Sequence, residues 1–481
     1  MAQVAKTVAN VQFAAARAQA EAPPPLRVPA PPAHAGAPPP VRPTRPPESL
    51  IDFEDVPWHL LSNDSEKATG GWTQPGTNSV APKTIYKKTT SLPEVIARLD
   101  FSEITRQTGW TKDMFVQQLK LLLQCNGMPS QKQSWIEKLM HEFIHRNHAK
   151  KADVTPEVAS ELMQRETCSK LSTNNPEREE LLEYFSEFIK LYTDFGHRPI
   201  EFNPLGQRLT HSFATWFHVK RMQPKYIIES GVHKGHTTWL MRQAAPNAKM
   251  IMLDPVADLI RHWDTKEDTI YYTGPKGFRP PSTARGVDIR PWIDFRQVDW
   301  SFISDEDKAT STIILMDDHQ DEWVRVRHIH ELGFKKAMFD DNWFVHQGDN
   351  FSIKQLCDAT AGTLFPGQNK DKVLHTNNFS MSNKWVALEQ HQSDRKQFLS
   401  MTKSYFEMPP VLWYPNLILY TQFRTHFHKD DPENAALVYI TGAMVQPPLI
   451  QTQDEFERFG MSVLPLREFW YYMNHCFIEL R

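Results

Sequence analysis

The stretch that most constrains the fold of this chain is the run 226–238, where a short apolar segment leads into a glycine-containing turn and a helix. Its Glu229-x-Gly231-x-x-x-Gly235 spacing predicts a strand, a sharp turn and a helix in direct succession, because glycine adopts backbone conformations that other residues avoid. The next apolar run ends at Asp254, and an acid placed one strand–helix unit later suits a ribose diol. The sequence therefore predicts a doubly wound, Rossmann-like α/β sheet that holds a nucleoside at this turn.

The glycine spacing of this turn differs from that of a dinucleotide-binding turn. Only Gly231 lies in the tight turn and no third glycine follows Gly235, whereas the G-x-G-x-x-G fingerprint uses three glycines to approach a pyrophosphate. Further core strands are predicted at 249–253, 295–298, 312–316 and 336–339, with helices at 205–222 and 237–245. Strands that alternate with helices form a parallel sheet, which binds ligands at the carboxyl ends of its strands.

Acidic side chains follow two of these predicted strands. The first set is Asp317-Asp318-His319-Gln320, and the second is Asp340-Asp341-Asn342-Trp343. Oxygen ligands of this kind on adjacent strands suit Mg²⁺, Mn²⁺ or Ca²⁺, and carboxylates crowded together without a cation would repel one another. The sequence predicts a divalent metal site here. The structural alternative is that Asp317 or Asp340 only caps the turn or helix that follows it.

Residues 1–50 are predicted to form a disordered Ala/Pro-rich leader, because 12 of the 36 prolines lie between positions 23 and 47 and large apolar residues are almost absent. The segment from Pro40 to Arg45 matches P-x-x-P-x-R, which predicts an SH3-like partner, while a plain spacer is the more common meaning of such a match. Residues 1–20 carry only Lys6 and Arg17 as charges. An organelle transit segment is one interpretation of them and a frayed leader is the other.

Charge and cysteine usage exclude several classes of protein. The net charge of −3 gives no overall field that would attract nucleic acid or an anionic membrane. The four cysteines show no C-x-x-C spacing, which argues against a zinc ribbon and a disulfide scaffold and favours a reducing compartment. No stretch approaches the roughly 20 apolar residues that span a bilayer. A cytoplasmic protein without a membrane span is therefore predicted.

Residues 51–198 are predicted to be a mostly helical N-terminal region, since apolar side chains recur there at helical spacing. The last of these helices starts near position 176 and places Leu181, Phe185, Phe188 and Tyr192 on one face. An earlier one contains His141-Glu142-x-x-His145, a pattern that binds zinc in metallopeptidases. A zinc metallopeptidase is therefore one functional hypothesis, and ordinary boundary histidines beside an apolar stripe are the alternative.

Taken in order, the glycine turn, Asp254 and the two acidic sets resemble the class I S-adenosylmethionine-dependent methyltransferases. The likeness is to metal-dependent catechol and caffeoyl-CoA O-methyltransferases, and cephalosporin-hydroxylase-like and macrocin-type sugar O-methyltransferases have a similar layout. It covers roughly residues 200–345. The resemblance implies that Asp254 binds the ribose hydroxyls of S-adenosylmethionine and that Asp299 lies on the adenine side. The other cofactor residues that it implies are Glu229, Gly231, Gly235 and Thr237.

The same resemblance implies metal ligands and a catalytic position. The metal ligands would be Asp317, Asp341 and Asn342, and the cation would be Mg²⁺ or another divalent ion. The resembling enzymes carry a catalytic lysine where this chain has Gln320. Because glutamine cannot act as a general base, His319 beside Gln320, or else His346, is predicted to replace the lysine, or the reaction differs.

The implied function is divalent-metal-assisted O-methylation of a small polyhydroxylated substrate. A non-catalytic scaffold or ligand-binding protein with the same fold is the main alternative, and metal-dependent hydrolysis or hydroxylation is another, because fold alone does not fix a reaction. The methyltransferase domain would span 199–481. Within it, segments 258–292 and 344–470 are predicted to form a substrate lid, and 471–480 a terminal strand of the sheet.

Overall fold

The computed structural model describes residues 168–171, 175–201, 203, 206–343, 350–358, 371–375, 384–412, 447–469 and 474–481, with five single positions between 114 and 124. All of them belong to one unit, Lys88–Arg481. The leader, the segment from Pro40 to Arg45, the pair His141 and His145, and His346 lie outside the described residues. The predictions made for them stay predictions.

An eight-stranded sheet forms the centre of the fold, in the order β4-β3-β2-β1-β5-β6-β10-β9. Its first six strands in sequence are parallel, and β10 runs antiparallel between β6 and β9. The strands are β1 Tyr226–Ser230, β2 Lys249–Asp254, β3 Thr269–Thr273, β4 Asp288–Arg290, β5 Thr312–Met316, β6 Lys336–Asn342, β9 Thr402–Glu407 and β10 Asn474–Leu480. A separate two-stranded ribbon pairs β7 Lys372–His375 with β8 Lys384–Ala387. The predicted Rossmann-like α/β fold with a mostly parallel sheet is confirmed.

Helices cover both faces of this sheet, which is why its central strands are continuous apolar runs. The helices are α1 Arg178–Tyr192, α2 Leu209–Met222, α3 His236–Ala244, α4 Asp305–Thr310, α5 Glu322–Glu331, α6 Ile353–Cys357, α7 Leu388–Met401 and α8 Gln453–Arg458. The core on one face of the sheet includes α2 and α3, with α1 packed on α2, and the core on the other face includes α5, α6 and α7. Among the described residues, none of the helices combines the length and the apolar composition that crossing a bilayer requires.

Two predictions about the sheet are wrong. Residues Phe295–Gln297 form a 3₁₀ turn rather than a strand, because the Asp294 side chain and the Gln297 side chain cap the turn reciprocally. The third strand is β3 instead, and β3 and β4 both come from the segment 258–292 that was expected to form a lid. The terminal strand predicted at 471–480 is confirmed as β10.

The cysteine spacing, which argued against a disulfide scaffold, did not indicate that Cys168 and Cys357 form a disulfide across a sequence separation of 189 residues. Both cysteines are buried on the sheet face that α5, α6 and α7 cover. Sequence spacing could not reveal the pair, because the fold alone brings the 3₁₀ turn Cys168–Leu171 to the end of α6. The pairing removes the argument for a reducing compartment. Cys476 in β10 is buried and free.

Removing this disulfide is expected to lower the free energy of unfolding by about 2–4 kcal/mol, because it closes a long loop of the unfolded chain. Denaturant unfolding of the wild type with and without a reductant should show this loss. The double variant Cys168→Ser/Cys357→Ser should unfold at the lower midpoint under both conditions. A wild-type midpoint that does not respond to the reductant, in a protein shown by thiol titration to be reduced, would contradict the expectation.

Candidate functional site

The order of the strands reverses at β1, which lies between β2 and β5. Such a switch point opens a crevice beyond the carboxyl ends of the strands, and ligands of open α/β sheets bind there. Gly231 directly follows β1, Asp254 is the last residue of β2, and Asp317 directly follows β5. The fold therefore brings three of the residues singled out in the sequence to one crevice.

The glycine turn holds the strand ends together through backbone contacts. The N–H of Gly231 donates to the carbonyl oxygen of Leu253 at 2.8 Å, and Gly231 has a φ of 97°. A Cβ on Gly231 would lie 1.9 Å from the carbonyl oxygen of Asp317, and a Cβ on Gly235 would lie 2.1 Å from that of His262. Glycine is thus required here so that neighbouring backbone can approach, and this requirement exists before any ligand binds.

Asp254 caps this turn. Its Oδ2 accepts hydrogen bonds from the N–H groups of Val232 at 2.9 Å and His233 at 2.7 Å, and its Oδ1 accepts one from Val256 at 2.7 Å. Burial raises the pKa of this carboxyl, and the three backbone bonds oppose that rise. A carboxylate offers about four acceptor positions, so Oδ1 retains room for one further donor such as a ribose hydroxyl.

Glu229 is fully buried in β1, with a carboxyl that is only half satisfied by the protein. Thr238 in α3 donates to its Oε2 at 2.5 Å, and within the described part of the chain its Oε1 has no hydrogen-bond partner. Burial raises the pKa of Glu229 to about 8; the hydrogen bond from Thr238 opposes part of that rise, and the charge of Asp254 adds to it. A buried acceptor without a donor is costly, which is typical of a position that a ligand completes. Thr237, the other threonine of this first turn, is buried as well.

Three side chains at the ends of β5 and β6 form a compact group that offers metal ligands. One ligand atom from each of Asp317, His319 and Asp341 lies within 4.8 Å of the other two. Nδ1 of His319 lies 2.8 Å from Oδ2 of Asp341. Burial raises the pKa of Asp317 well above its usual range, and the charges of Asp340 and Asp341 raise it further. We refer to these three residues as the acid–histidine group.

Asp340 and Asn342, two other polar residues of β6, form hydrogen bonds with groups outside the acid–histidine group. Asp340 Oδ1 accepts from Gln207 Nε2 at 3.0 Å and lies 2.8 Å from His211 Nδ1, so α2 and the residue before its cap hold Asp340 in place. The Oδ1 of Asn342 accepts the backbone N–H of Lys354 at 2.7 Å, and its amide donates to the Tyr405 hydroxyl at 3.1 Å. Both the oxygen and the nitrogen of Asn342, a predicted metal ligand, are therefore hydrogen-bonded within the protein.

Further residues that the sequence did not single out fix the loop after β5. Arg325 in α5 lies 2.8 Å from Asp318 Oδ2 and binds Asp294 through two nitrogens, at 3.0 and 2.8 Å. Asp318 also accepts from the Ser230 hydroxyl at 2.8 Å. No local pattern could have revealed this network, because Asp294 precedes Arg325 by 31 positions.

Two predicted site residues have surroundings that do not suit the roles expected of them. Asp299 is exposed and caps a 3₁₀ turn, where its Oδ1 accepts the Ser301 N–H at 3.0 Å. Phe302 in that turn lies beneath the ammonium group of Lys249, the first residue of β2 and hence at the opposite edge of the sheet. Gln320 offers only a long contact of 3.5 Å from its amide to the carbonyl oxygen of Asp318.

Comparisons with known proteins do not assign a function to this chain. Neither a protein family model nor a curated protein matches the chain. Among solved structures, the crystal structure of coclaurine N-methyltransferase bound to N-methylheliamine and SAH matches 76% of this chain and 98% of that chain, at 9% identity and a TM-score of 0.27. A likeness at that identity and TM-score carries no argument about activity.

Proposed function

We propose that the chain is an S-adenosylmethionine-dependent O-methyltransferase in which a divalent cation assists methylation of a small polyhydroxylated substrate. The single observation that carries this proposal is the position of the acid–histidine group beside the switch-point crevice, next to the half-satisfied carboxyl of Glu229. A nucleoside-type crevice and a metal-binding donor set at the same sheet edge are the two requirements of such a reaction.

The residues present fit both groups. Glu229 Oε1 is an acceptor that the ammonium group at the methionine end of the cofactor would satisfy, and Asp254 Oδ1 has room for a ribose hydroxyl. Asp317, His319 and Asp341 would hold the cation, and its charge would relieve the repulsion that raises the pKa of Asp317. Asp299 is left out of this proposed site because of its exposed position at the other edge.

The chain contributes alignment and charge. When bound, S-adenosylmethionine supplies an electrophilic methyl group, and a divalent cation supplies the charge that lowers the pKa of a hydroxyl. Arg325 and Ser230 fix Asp318, so the loop that carries Asp317 and His319 is rigid before ligands arrive. Gln320 has no group that could accept a proton, so activation of the substrate hydroxyl would depend on the acid–histidine group rather than on a lysine base.

Binding and turnover can be measured on one preparation. Calorimetry with S-adenosylmethionine and S-adenosylhomocysteine tests the crevice, and transfer of a labelled methyl group to a panel of catechols and sugar diols, with and without a chelator, tests the reaction. Binding together with chelator-sensitive transfer supports the proposal. Cofactor binding without transfer favours a non-catalytic ligand-binding protein, and absence of cofactor binding favours a scaffold or a metal-dependent reaction of another class.

Binding of S-adenosylmethionine is expected to release close to one proton per molecule at pH 7. With a pKa of about 8, Glu229 is mostly protonated in the free protein at that pH, and the cationic cofactor would favour its ionised form. Calorimetric heats measured in buffers of different ionisation enthalpy give the number of protons. The release should disappear in Glu229→Gln and in wild type above about pH 9. Equal release by the wild type and Glu229→Gln would contradict the assignment of Glu229.

A further inference from the structure

The imidazole of His319 lies close enough to the carboxyl groups of Asp317 and Asp341 to bind the same metal ion. Nδ1 of His319 lies 2.8 Å from Asp341 Oδ2, and the Asp317 ligand atom completes a set whose members are all within 4.8 Å. Two donors bound at right angles to one ion, at bond lengths of about 2.0–2.2 Å, are separated by about 2.8–3.1 Å. The His319–Asp341 distance is therefore compatible with two adjacent ligands on a single cation, and it is also the length of a direct hydrogen bond between the two side chains.

The backbone holds His319 in this position at a cost. His319 has a φ of 53°, a left-handed conformation that is uncommon outside glycine, and that asparagine, aspartate and histidine adopt more often than other residues. The neighbouring residue Asp318 is fixed by Arg325 and Ser230, and α5 begins at Glu322. Strained backbone persists where the surrounding structure over-determines it, and it concentrates at ligand-binding positions.

A second observation indicates that this edge of the sheet binds cationic groups. Among the described residues, the buried Oε1 of Glu229 near the end of β1 has no hydrogen-bond partner, and the proposed function assigns it to the ammonium group of the cofactor. The carboxyl groups of Asp317 and Asp341 lie at the ends of the adjacent strands β5 and β6. Carboxyl groups placed this close together favour a bound cation.

The mixture of donors determines which cation fits. Mg²⁺ prefers oxygen ligands and keeps several of its waters, whereas imidazole suits first-row transition metals. Asn342, whose oxygen would have given an all-oxygen site, already accepts the Lys354 N–H. We propose that Asp317, His319 and Asp341 form a site that selects a transition-metal dication such as Mn²⁺, Fe²⁺, Co²⁺ or Zn²⁺ over Mg²⁺, with His319 Nδ1 as a ligand.

This inference deepens the proposed function, on which it rests for the position of the site, and Co²⁺ provides a test that does not depend on turnover. The full-length protein is freed of metal with a chelator and titrated with Co²⁺ and with Mg²⁺, while visible absorption follows the Co²⁺ bands. We expect one Co²⁺ per chain, bound at least about 100-fold more tightly than Mg²⁺.

His319→Asn is the decisive variant, because asparagine tolerates the left-handed backbone while it removes the imidazole. It should weaken Co²⁺ binding by about 10- to 100-fold, shift the absorption bands, and change Mg²⁺ binding by less than about threefold. His330→Asn is the control for loss of an imidazole, since His330 is exposed in the last turn of α5 and lies outside the acid–histidine group. It should leave Co²⁺ affinity unchanged, and thermal unfolding of both variants checks that they fold.

Each outcome has a defined meaning. Equal affinity of the wild type for Co²⁺ and Mg²⁺, or unchanged Co²⁺ binding by folded His319→Asn, overturns the inference and leaves His319–Asp341 as a simple ion pair. Calorimetry with S-adenosylmethionine on the same preparation separates the two proposals. Cofactor binding together with a preference for Mg²⁺ would support the proposed function and overturn the inference about the metal. Co²⁺ binding that depends on His319, without cofactor binding, would support the inference and overturn the proposed function.

Discussion

Gly231→Ala is expected to abolish S-adenosylmethionine binding and to lower the free energy of unfolding by at least about 3 kcal/mol. Two effects combine at this position. The φ of 97° is strained for alanine, and the new Cβ would lie 1.9 Å from the carbonyl oxygen of Asp317. Relief of that clash must move the end of β1 away from the loop after β5, which separates Glu229 from the acid–histidine group. Denaturant unfolding and cofactor calorimetry measure the two consequences.

Gly277→Ala is the matched control for this experiment. Gly277 has a φ of 86°, but a Cβ built on it meets no atom within 4 Å. The substitution should therefore cost only the conformational strain, about 1–2 kcal/mol, and leave cofactor binding intact. The difference between the two variants isolates the close approach of the β1 turn to Asp317. Similar losses of stability in both variants would mean that backbone strain alone, and not this contact, makes Gly231 necessary.

Asp317→Ala is expected to abolish metal-dependent turnover while cofactor affinity changes by less than about threefold. Asp317→Asn preserves the shape of the side chain but removes a charged ligand. It should therefore reduce metal affinity by at least about 100-fold. Isothermal titration with the metal, followed by titration with S-adenosylmethionine, separates the two sites. Retention of full metal-dependent turnover by Asp317→Asn would exclude Asp317 as a ligand.

Asp317→Asn should also make the metal-free protein more stable at neutral pH. The pKa of Asp317 is raised in the folded state by burial and by Asp340 and Asp341. A group with a raised folded pKa contributes stability below its unfolded pKa, and that contribution is lost as the pH rises toward the folded pKa. The gain in Asp317→Asn should therefore grow as the pH rises above about 4 and vanish below it.

Asp318→Asn, one position further along the chain, should have the opposite effect on the stability of the metal-free protein. Asp318 lies 2.8 Å from Arg325 and accepts from Ser230, so its charge is compensated within the protein. Loss of that charge should destabilise the metal-free protein by about 2 kcal/mol at neutral pH. Unfolding curves of the two variants at several pH values would then diverge in opposite directions from the wild type. A destabilised Asp317→Asn would show that Asp317 is a structural acid.

The central strands were predictable because their signals are local. The runs at 226–228, 250–253 and 313–316 are apolar and uninterrupted, and each is followed directly by an acidic residue. Burial on both faces requires such runs, so they indicate a parallel sheet without knowledge of any partner strand. The mistaken strand at 295–298 failed for an equally local reason, since the reciprocal cap by Asp294 and Gln297 favours a 3₁₀ turn.

The composition of the metal site was only partly predictable. The sequence placed acids after β5 and β6, but which of them face each other depends on the packing of α2 against the sheet. His211 and Gln207 hold Asp340, and Lys354 and Tyr405 hold Asn342, whereas Asp341 lies next to His319. These partners come from distant parts of the chain, so no pattern around position 340 distinguishes the three residues.

The glycine turn, the strands beside it and the acids at their ends were determined by the sequence itself, because backbone freedom, apolar periodicity and side-chain charge are properties of short segments. Only the tertiary structure decided that Gly231 makes room for the backbone of Asp317, that Cys168 pairs with Cys357, and that His319 joins Asp317 and Asp341. These are contacts between segments far apart in the chain, and close packing of the whole fold, rather than any local preference, brings them together.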